Sequence, residues 1–170
     1  MNSIYVLEVG TVDDLDWENL ALNLQKVFDF SVKKIGPIDV PDFAFNAEKN
    51  QYDAEKILLD LQKVEFEDLE KMIAVTNKDL FALEYNYIFG QGDCPGRQSI
   101  VSVFRLKDKN ENLFNERVLK EAIHELGHNF GLSHCLNIKC PMHFSINIAD
   151  TDLKEITLCE KCGNLLKMVN

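Results

Sequence analysis

No stretch of this 170-residue chain is rich enough in proline, glycine or serine to mark a linker, and no segment repeats. One domain is therefore expected, since a chain of this length buries roughly two-thirds of its unfolded surface and holds a core without disulfide staples. Positive charge is scarce: 18 lysines and arginines stand against 28 aspartates and glutamates, for a formal net charge of -10. That balance argues against non-specific binding to nucleic acid or to an anionic membrane, both of which need a positive surface. Long apolar runs are missing as well. The leading MNSIYVLEVGTVDD has no basic segment, and its run over residues 4–7 is too short for a signal or a membrane span. The expected compartment is the cytoplasm, where the five cysteines are more naturally thiols or metal ligands than disulfides.

Ile4, Tyr5, Val6 and Leu7 are continuously apolar rather than alternating, the pattern of a strand covered on both faces in a parallel sheet. Trp17, Leu20, Ala21, Leu24, Val27 and Phe28 recur at steps of three and four, which predicts a helix with one apolar stripe, capped by Thr11 with Asp14 at its third position. Residues 31–38 read as a second strand ending against Pro37 and Pro41, and 52–63 as a helix that buries Ile57, Leu58 and Leu61. Further strands are predicted at 71–76, 84–89 and 98–105, the last two separated by the turn-rich GQGDCPG. The first half thus has the alternation of an α/β layer. A third helix is predicted over 115–130 from Val118, Leu119, Ala122, Ile123, Leu126 and Phe130, and a terminal helix over 160–169.

The third helix carries the chemistry. His124 and His128 stand four apart, so both imidazoles leave one helix face with Cβ atoms roughly 5–6 Å apart, a spacing that suits one zinc ion. Glu125 lies beside the first of them, placed to reach a metal-bound water without occupying a coordination position. Gly131 can take a left-handed conformation that ends the helix and turns the chain back, making His134 a third ligand. Three neutral nitrogens leave the metal its full charge and an open position, where water can fall to a pKa of about 7. The bland reading is a set of ordinary surface or core histidines. It requires HExxHxxGxxH to arise by chance, at odds on the order of one in a hundred thousand for a chain of this length.

At HELGHNFGLSH the sequence resembles the metzincin clan of metallopeptidases. Cys135 follows the last histidine directly, then come Cys140-Pro141-Met142 and, further on, Cys159-Glu160-Lys161-Cys162. This series is similar to the archaemetzincin family, and the likeness extends upstream through SVFRL and NERVLKEAIHELGH; the first half matches mainly in its order of elements. The resemblance implies that Met142 is the Met-turn residue, its thioether packed beneath the three imidazoles. By residue type alone it is equally an ordinary core methionine. The resemblance also implies that extended peptides lie along an antiparallel edge strand above the active-site helix, here residues 84–89. Tyr85 and Tyr87 are then candidates for substrate contact or, equally, core or surface residues.

Cys135, Cys140, Cys159 and Cys162 offer four soft ligands, and the closing CxxC has the bite of a zinc knuckle. Four sulfurs fill a tetrahedral sphere and leave no place for water, so such a zinc is structural rather than catalytic. A pair of disulfides and a catalytic dithiol at Cys159 and Cys162 are the competing readings. Cys94, in the turn DCPG, reads as a structural or incidental thiol. His143 reads as a surface residue or one that supports the three-histidine set without joining it. Because His134 and Cys135 are consecutive, the two metals would lie close together, each site restricting the other. Two zinc ions add four positive charges and four thiolates remove four, so the formal charge of -10 would stand.

The expectation is a compact single domain over residues 1–170, of α/β class (α+β in some schemes) and metzincin-like. A mixed, twisted five-stranded sheet with helices occupies 1–113; the active-site helix, the Met-turn and a zinc-pinned C-terminal region occupy 114–170. The expected function is that of a monomeric, cytoplasmic zinc metallopeptidase with two zinc ions per chain. His124, His128 and His134 would hold the catalytic ion, Glu125 would be the general base, and a peptide or protein would be the substrate. Nucleic acid and membranes are not expected partners, and residues 139–167 contain no dense basic patch. The alternative is a zinc-stabilised protein-interaction module with an occluded or inactive peptidase site.

Overall fold

The computed structural model describes residues 2–169. The chain runs β1 (Ser3–Val9), α1 (Trp17–Phe28), β2 (Ser31–Ile38), β3 (Phe45–Asn46), β4 (Gln51–Asp53), α2 (Ala54–Leu61), β5 (Leu69–Thr76), β6 (Leu80–Ala82), β7 (Tyr85–Ile88), β8 (Gly90–Gly92), β9 (Gln98–Ser102), α3 (Glu111–Asn129), α4 (Ile148–Leu153) and α5 (Glu160–Val169). The main sheet has the order β2-β1-β5-β9-β8, parallel except for the antiparallel edge strand β8. This is the mixed five-stranded sheet expected from the sequence. A smaller sheet, β3-β4-β6-β7, was not foreseen.

The unbroken apolar run of β1 has a direct cause: the strand is buried along its whole length and serves two cores with alternate side chains. Ile4 and Val6 face one core with Ile73, Val75 and Val101, which α1 and α3 cover through Leu24, Phe28, Val118 and Ile123. Tyr5, Leu7 and Val9 face the other with Met72, Ala74 and Ile100, covered by Ile57, Leu58 and Leu61 of α2. Each fully buried aliphatic side chain contributes about 1.5–3 kcal/mol. Because both cores share one sheet, the chain forms one domain. No helix among the described residues is long and apolar enough to cross a membrane.

Four local expectations need correction. First, α1 is capped by Asp16, which accepts from the Asn19 N–H at 2.9 Å, and not by Thr11. The chain turns at Gly10 (φ 71) and Asp14 (φ 64), which sets Thr11 apart from the helix. Second, the helix expected at 52–63 starts at Ala54, because Tyr52 and Asp53 pair in β4 and Asp53 caps α2. Third, α3 starts at Glu111, earlier than expected, because Asn110 accepts from the N–H groups of Asn112 and Leu113. Fourth, residues 84–89 are not the edge strand of the main sheet. β7 pairs with β6 in the smaller sheet, and the antiparallel edge is β8, inside the stretch that reads as a turn. Gly90 and Gly92 have poor strand propensity but lie against α3, where a β-carbon at Gly90 would overlap the Glu125 side chain and one at Gly92 would crowd Ser99 and the Glu125 carbonyl.

Candidate active site and metal centres

The helix that carries the histidines ends by a paired closure. Gly131 has φ 87, its N–H bonds to the His128 carbonyl at 2.8 Å, and the Leu132 N–H bonds to the Gly127 carbonyl at 2.9 Å. The reversed chain lays the His134 ring 5.3 Å from that of His124 and 4.8 Å from that of His128. Nε2 of His124 and Nε2 of His128 are 3.1 Å apart, and one nitrogen from each of the three rings lies within 4.8 Å of the others. Bonds of about 2.0–2.1 Å to a tetrahedral zinc set nitrogens about 3.3 Å apart, so the donor set fits that ion.

The main chain fixes the other ring nitrogens. His124 Nδ1 donates to the Pro141 carbonyl at 2.8 Å and His128 Nδ1 to the Leu132 carbonyl at 2.7 Å. A carbonyl only accepts, so Nδ1 carries the proton and Nε2 presents its lone pair to the cluster. Burial holds His124 well below the ordinary histidine value, with the Lys154 cation acting in the same sense, and burial also lowers His128 and His134. All three are neutral near pH 7, the form that binds a metal. Met142 is fully buried beneath this turn, and a side chain on Gly127 would collide with its sulfur.

Glu125 is 5% exposed. Burial raises its carboxyl well above the ordinary value; Glu121, one turn earlier, adds to the rise and Lys154 opposes it. Among the described residues no donor is hydrogen-bonded to the Glu125 carboxylate. Glu121 is the opposite case: it accepts from Thr151 Oγ1 at 2.9 Å and from Lys154 Nζ at 3.1 Å, in an ion pair with both side chains buried. Two buried charges are tolerated there because each neutralises the other. Of the two carboxylates on this helix face, one is saturated and one is free.

The four cysteines place one sulfur each within 4.8 Å of the rest, with Cys135 Sγ and Cys159 Sγ at 3.8 Å. That spacing does not fit a disulfide of about 2.05 Å. It does fit the edge of a tetrahedron with metal–sulfur bonds of about 2.3 Å, which is about 3.8 Å long. Burial and the neighbouring thiols push Cys162 up strongly and burial raises Cys140, whereas Cys159, although burial opposes it, is lowered by hydrogen bonds from the Cys162 main chain and the neighbouring thiols. Cys94 stands apart from both clusters, its sulfur 3.5 Å from the Leu132 carbonyl. His143 donates from Nδ1 to the Cys135 carbonyl at 2.8 Å, holding the main chain where the third histidine meets the first cysteine.

A cleft of about 420 Å³ opens over His124 and Glu125. Tyr85, Tyr87, Phe89 and Gly90 line one wall and Phe144 and Ile146 the other, with Tyr87 Oη donating across to the Ile146 carbonyl at 3.3 Å. Both tyrosines singled out in the sequence therefore face this cleft, although from the smaller sheet.

Residues 15–168 match the profile of peptidase family M54. The chain belongs to peptidase family M54. It is 41% identical over 128 residues to the archaemetzincin of Methanopyrus kandleri, covering 75% of this chain and 73% of that one. It is 37% identical over 150 residues to the archaemetzincin of Archaeoglobus fulgidus, covering 88% and 90%. The crystal structure of the M. kandleri archaemetzincin superposes with a TM-score of 0.90 at 32% identity, covering 99% of this chain and 95% of that chain. The A. fulgidus archaemetzincin, complexed with malonate, superposes with a TM-score of 0.85 at 34% identity, covering 96% and 99%. The archaemetzincin resemblance, the α/β fold and the metallopeptidase class expected from the sequence all hold.

In this M54 chain, sequence reasoning missed Glu121, Lys154 and Gly90. Glu121 had a signal, since EAIHE places it one helical turn before Glu125 on the same face. Lys154 had none: its partner is 33 positions away, and nothing in LKE marks a buried cation.

Proposed function

We propose that His124, His128 and His134 hold a catalytic zinc, that Glu125 is the general base for peptide-bond hydrolysis, and that Cys135, Cys140, Cys159 and Cys162 hold a second, structural zinc. The reading is carried by one coincidence: three neutral imidazoles bring one nitrogen each into a single cluster, His124 and His128 through Nε2, beside the Glu125 carboxylate, to which no donor among the described residues is hydrogen-bonded. When bound there, zinc supplies positive charge that acidifies water and polarises a carbonyl. Glu125 takes a proton from the water whose oxygen attacks the peptide carbonyl carbon. It then delivers that proton to the amine nitrogen as the carbon–nitrogen bond breaks. Among the described residues β8 pairs only with β9, so its other edge could take a peptide main chain, and the apolar wall with Tyr85 and Tyr87 would take a substrate side chain. The substrate is then a peptide or an unfolded protein segment, and thiolate ligands suit a reducing cytoplasm.

The test pairs metal analysis with digestion of a peptide library. Wild-type protein should carry two zinc ions per chain and cleave peptides. Glu125→Gln should keep both zinc ions and lose about 10²–10⁴-fold in rate. Wild-type cleavage by Glu125→Gln would sink the general-base assignment. Two bound zinc ions with no cleavage by the wild type would replace the peptidase reading with that of a zinc-stabilised interaction module.

A further inference from the structure

A general base must be held in place, yet no hydrogen bond holds the Glu125 carboxylate among the described residues. A glutamate side chain has three rotatable bonds, so confinement by neighbouring atoms is what remains to choose its conformation. The neighbour is β8. A β-carbon at Gly90 would fall 2.6 Å from Glu125 Oε1, 2.7 Å from its Cγ and 2.8 Å from the Ile100 carbonyl oxygen. The Glu125 side chain thus fills the volume that a side chain at residue 90 would occupy. Gly92, on the same face of the strand, approaches the helix differently. The three atoms nearest a β-carbon there would be Ser99 Cβ at 3.0 Å, the Glu125 carbonyl oxygen at 3.1 Å and Asn129 Nδ2 at 3.2 Å.

The gap between strand and helix is not free to widen. Asn129, fully buried at the end of α3, donates from Nδ2 to the Asp93 carbonyl at 3.2 Å and to the Gln98 carbonyl at 3.0 Å, and its own carbonyl accepts from the Gly96 N–H at 3.2 Å. These bonds tie the helix to the turn between β8 and β9. On the helix itself, Glu121, one turn before Glu125, is committed to Thr151 and Lys154 and does not stand in for it.

We infer that Gly90 is a positioning residue: its missing side chain forms the socket that fixes the Glu125 carboxylate between α3 and the edge strand. The inference rests on Glu125 being the base. A methyl group at position 90 forces the Glu125 side chain into another rotamer, and misplacement of a reacting group by about 1 Å lowers a rate on the order of 100-fold. The atoms nearest a β-carbon at position 90 belong to Glu125 and Ile100 and not to the histidines, so metal binding should be unaffected.

The experiment uses the zinc-loaded full chain. Gly90→Ala should keep two zinc ions per chain and a near-wild-type KM for the most rapidly cleaved library peptide, with kcat lower by about 100-fold. Adding Gly90→Ala to Glu125→Gln should not lower the residual rate further, because the displaced group has already lost its function. Wild-type kcat in Gly90→Ala, or additive losses in the double variant, overturns the inference. Should Gly90→Ala fail to fold, Glu125→Ala in the same chain removes the two colliding Glu125 atoms and should restore a zinc-loaded protein with cooperative unfolding. Failure to restore it would assign the glycine requirement to the Ile100 carbonyl and overturn the socket. A wild-type rate in Glu125→Gln refutes the base assignment alone, since the steric coupling between positions 90 and 125 is still read from thermal unfolding of the single and double variants.

Discussion

Replacing Gly131 isolates the step by which a helix carrying two histidines recruits a third. Its φ of 87 lies in the left-handed region, and a β-carbon there would meet only Pro95 Cβ, at an ordinary 3.9 Å. The effect of a side chain is therefore conformational rather than steric. An L-residue held left-handed costs about 1–2 kcal/mol, asparagine less because it tolerates this region, and a β-branched residue more. The expected stability order is Gly131, then Gly131→Asn, then Gly131→Ala, then Gly131→Val. In a domain of this size about 1 kcal/mol shifts Tm by about 2–4 °C, so alanine should lower it by about 2–8 °C. The same turn delivers His134 to His124 and His128, so the strain should also weaken zinc at the histidines. A loss of about 1–2 kcal/mol corresponds to about 5–30-fold in affinity. Thermal unfolding of the zinc-loaded proteins and competition with a chelator read the two effects separately. If alanine and valine equal glycine in both, the left-handed turn does not place His134 and the reasoning fails.

Two further perturbations address the C-terminal third. Cys162→Ser should remove the sulfur-bound zinc and lower Tm by at least about 10 °C, since a structural zinc carries several kcal/mol of folding energy. Because His134 and Cys135 are adjacent and His143 holds the Cys135 carbonyl, occupancy of the histidine site should fall as well; unchanged occupancy and Tm would dismiss the coupling. Arg117 grips Asp152 with two bonds of 2.6 and 2.7 Å and holds its carboxyl below the ordinary value. A depressed folded value means that this contribution is complete above the unfolded pKa of about 3.9 and is lost as the pH falls through the folded value. Asp152 is 34% exposed and partly screened, so Asp152→Asn should cost about 1 kcal/mol at pH 7. Denaturation curves for the two proteins should converge in acid below about pH 4, and a constant difference from pH 7 to pH 2 would refute the assignment.

What was legible in the sequence is what lies close together along it. His124, Glu125 and His128 share one helical face, and Gly131 and His134 follow within six residues of His128, so the cluster is written in a single local pattern. The buried strands were equally clear, because Ile4 to Leu7 record burial on two faces without reference to any partner. The missed features depend on distant contacts. GQG reads as a turn on local propensity, and only the approach of α3 shows why an edge strand carries glycine at 90 and 92. Thr11 has the right residue type for a cap, but the left-handed Asp14 between it and α1 reassigns that task to Asp16. α4 is six residues long, too short to show a helical period.

The C-terminal third shows how a segment with little regular structure can still hold a geometry that chemistry requires. Its main-chain bonds are few and placed at joints: Cys135 N–H to the Met142 carbonyl at 2.9 Å, Glu155 N–H to the Lys139 carbonyl at 2.7 Å, and His124 to the Pro141 carbonyl. Side chains of α3 supply the rest. Arg117 and Lys120 hold Asp152, and Glu121 holds Thr151 and Lys154. The helix that presents His124 and Glu125 to the cleft therefore also carries, on its preceding two turns, the anchors of the segment that follows the Met142 turn. That division of labour explains why its charged residues Arg117, Lys120 and Glu121 are buried, a pattern that burial of apolar surface alone would never select. It also places the histidine and cysteine clusters on either side of one peptide bond within a common polar framework, which is the geometric ground for the coupling that Cys162→Ser tests.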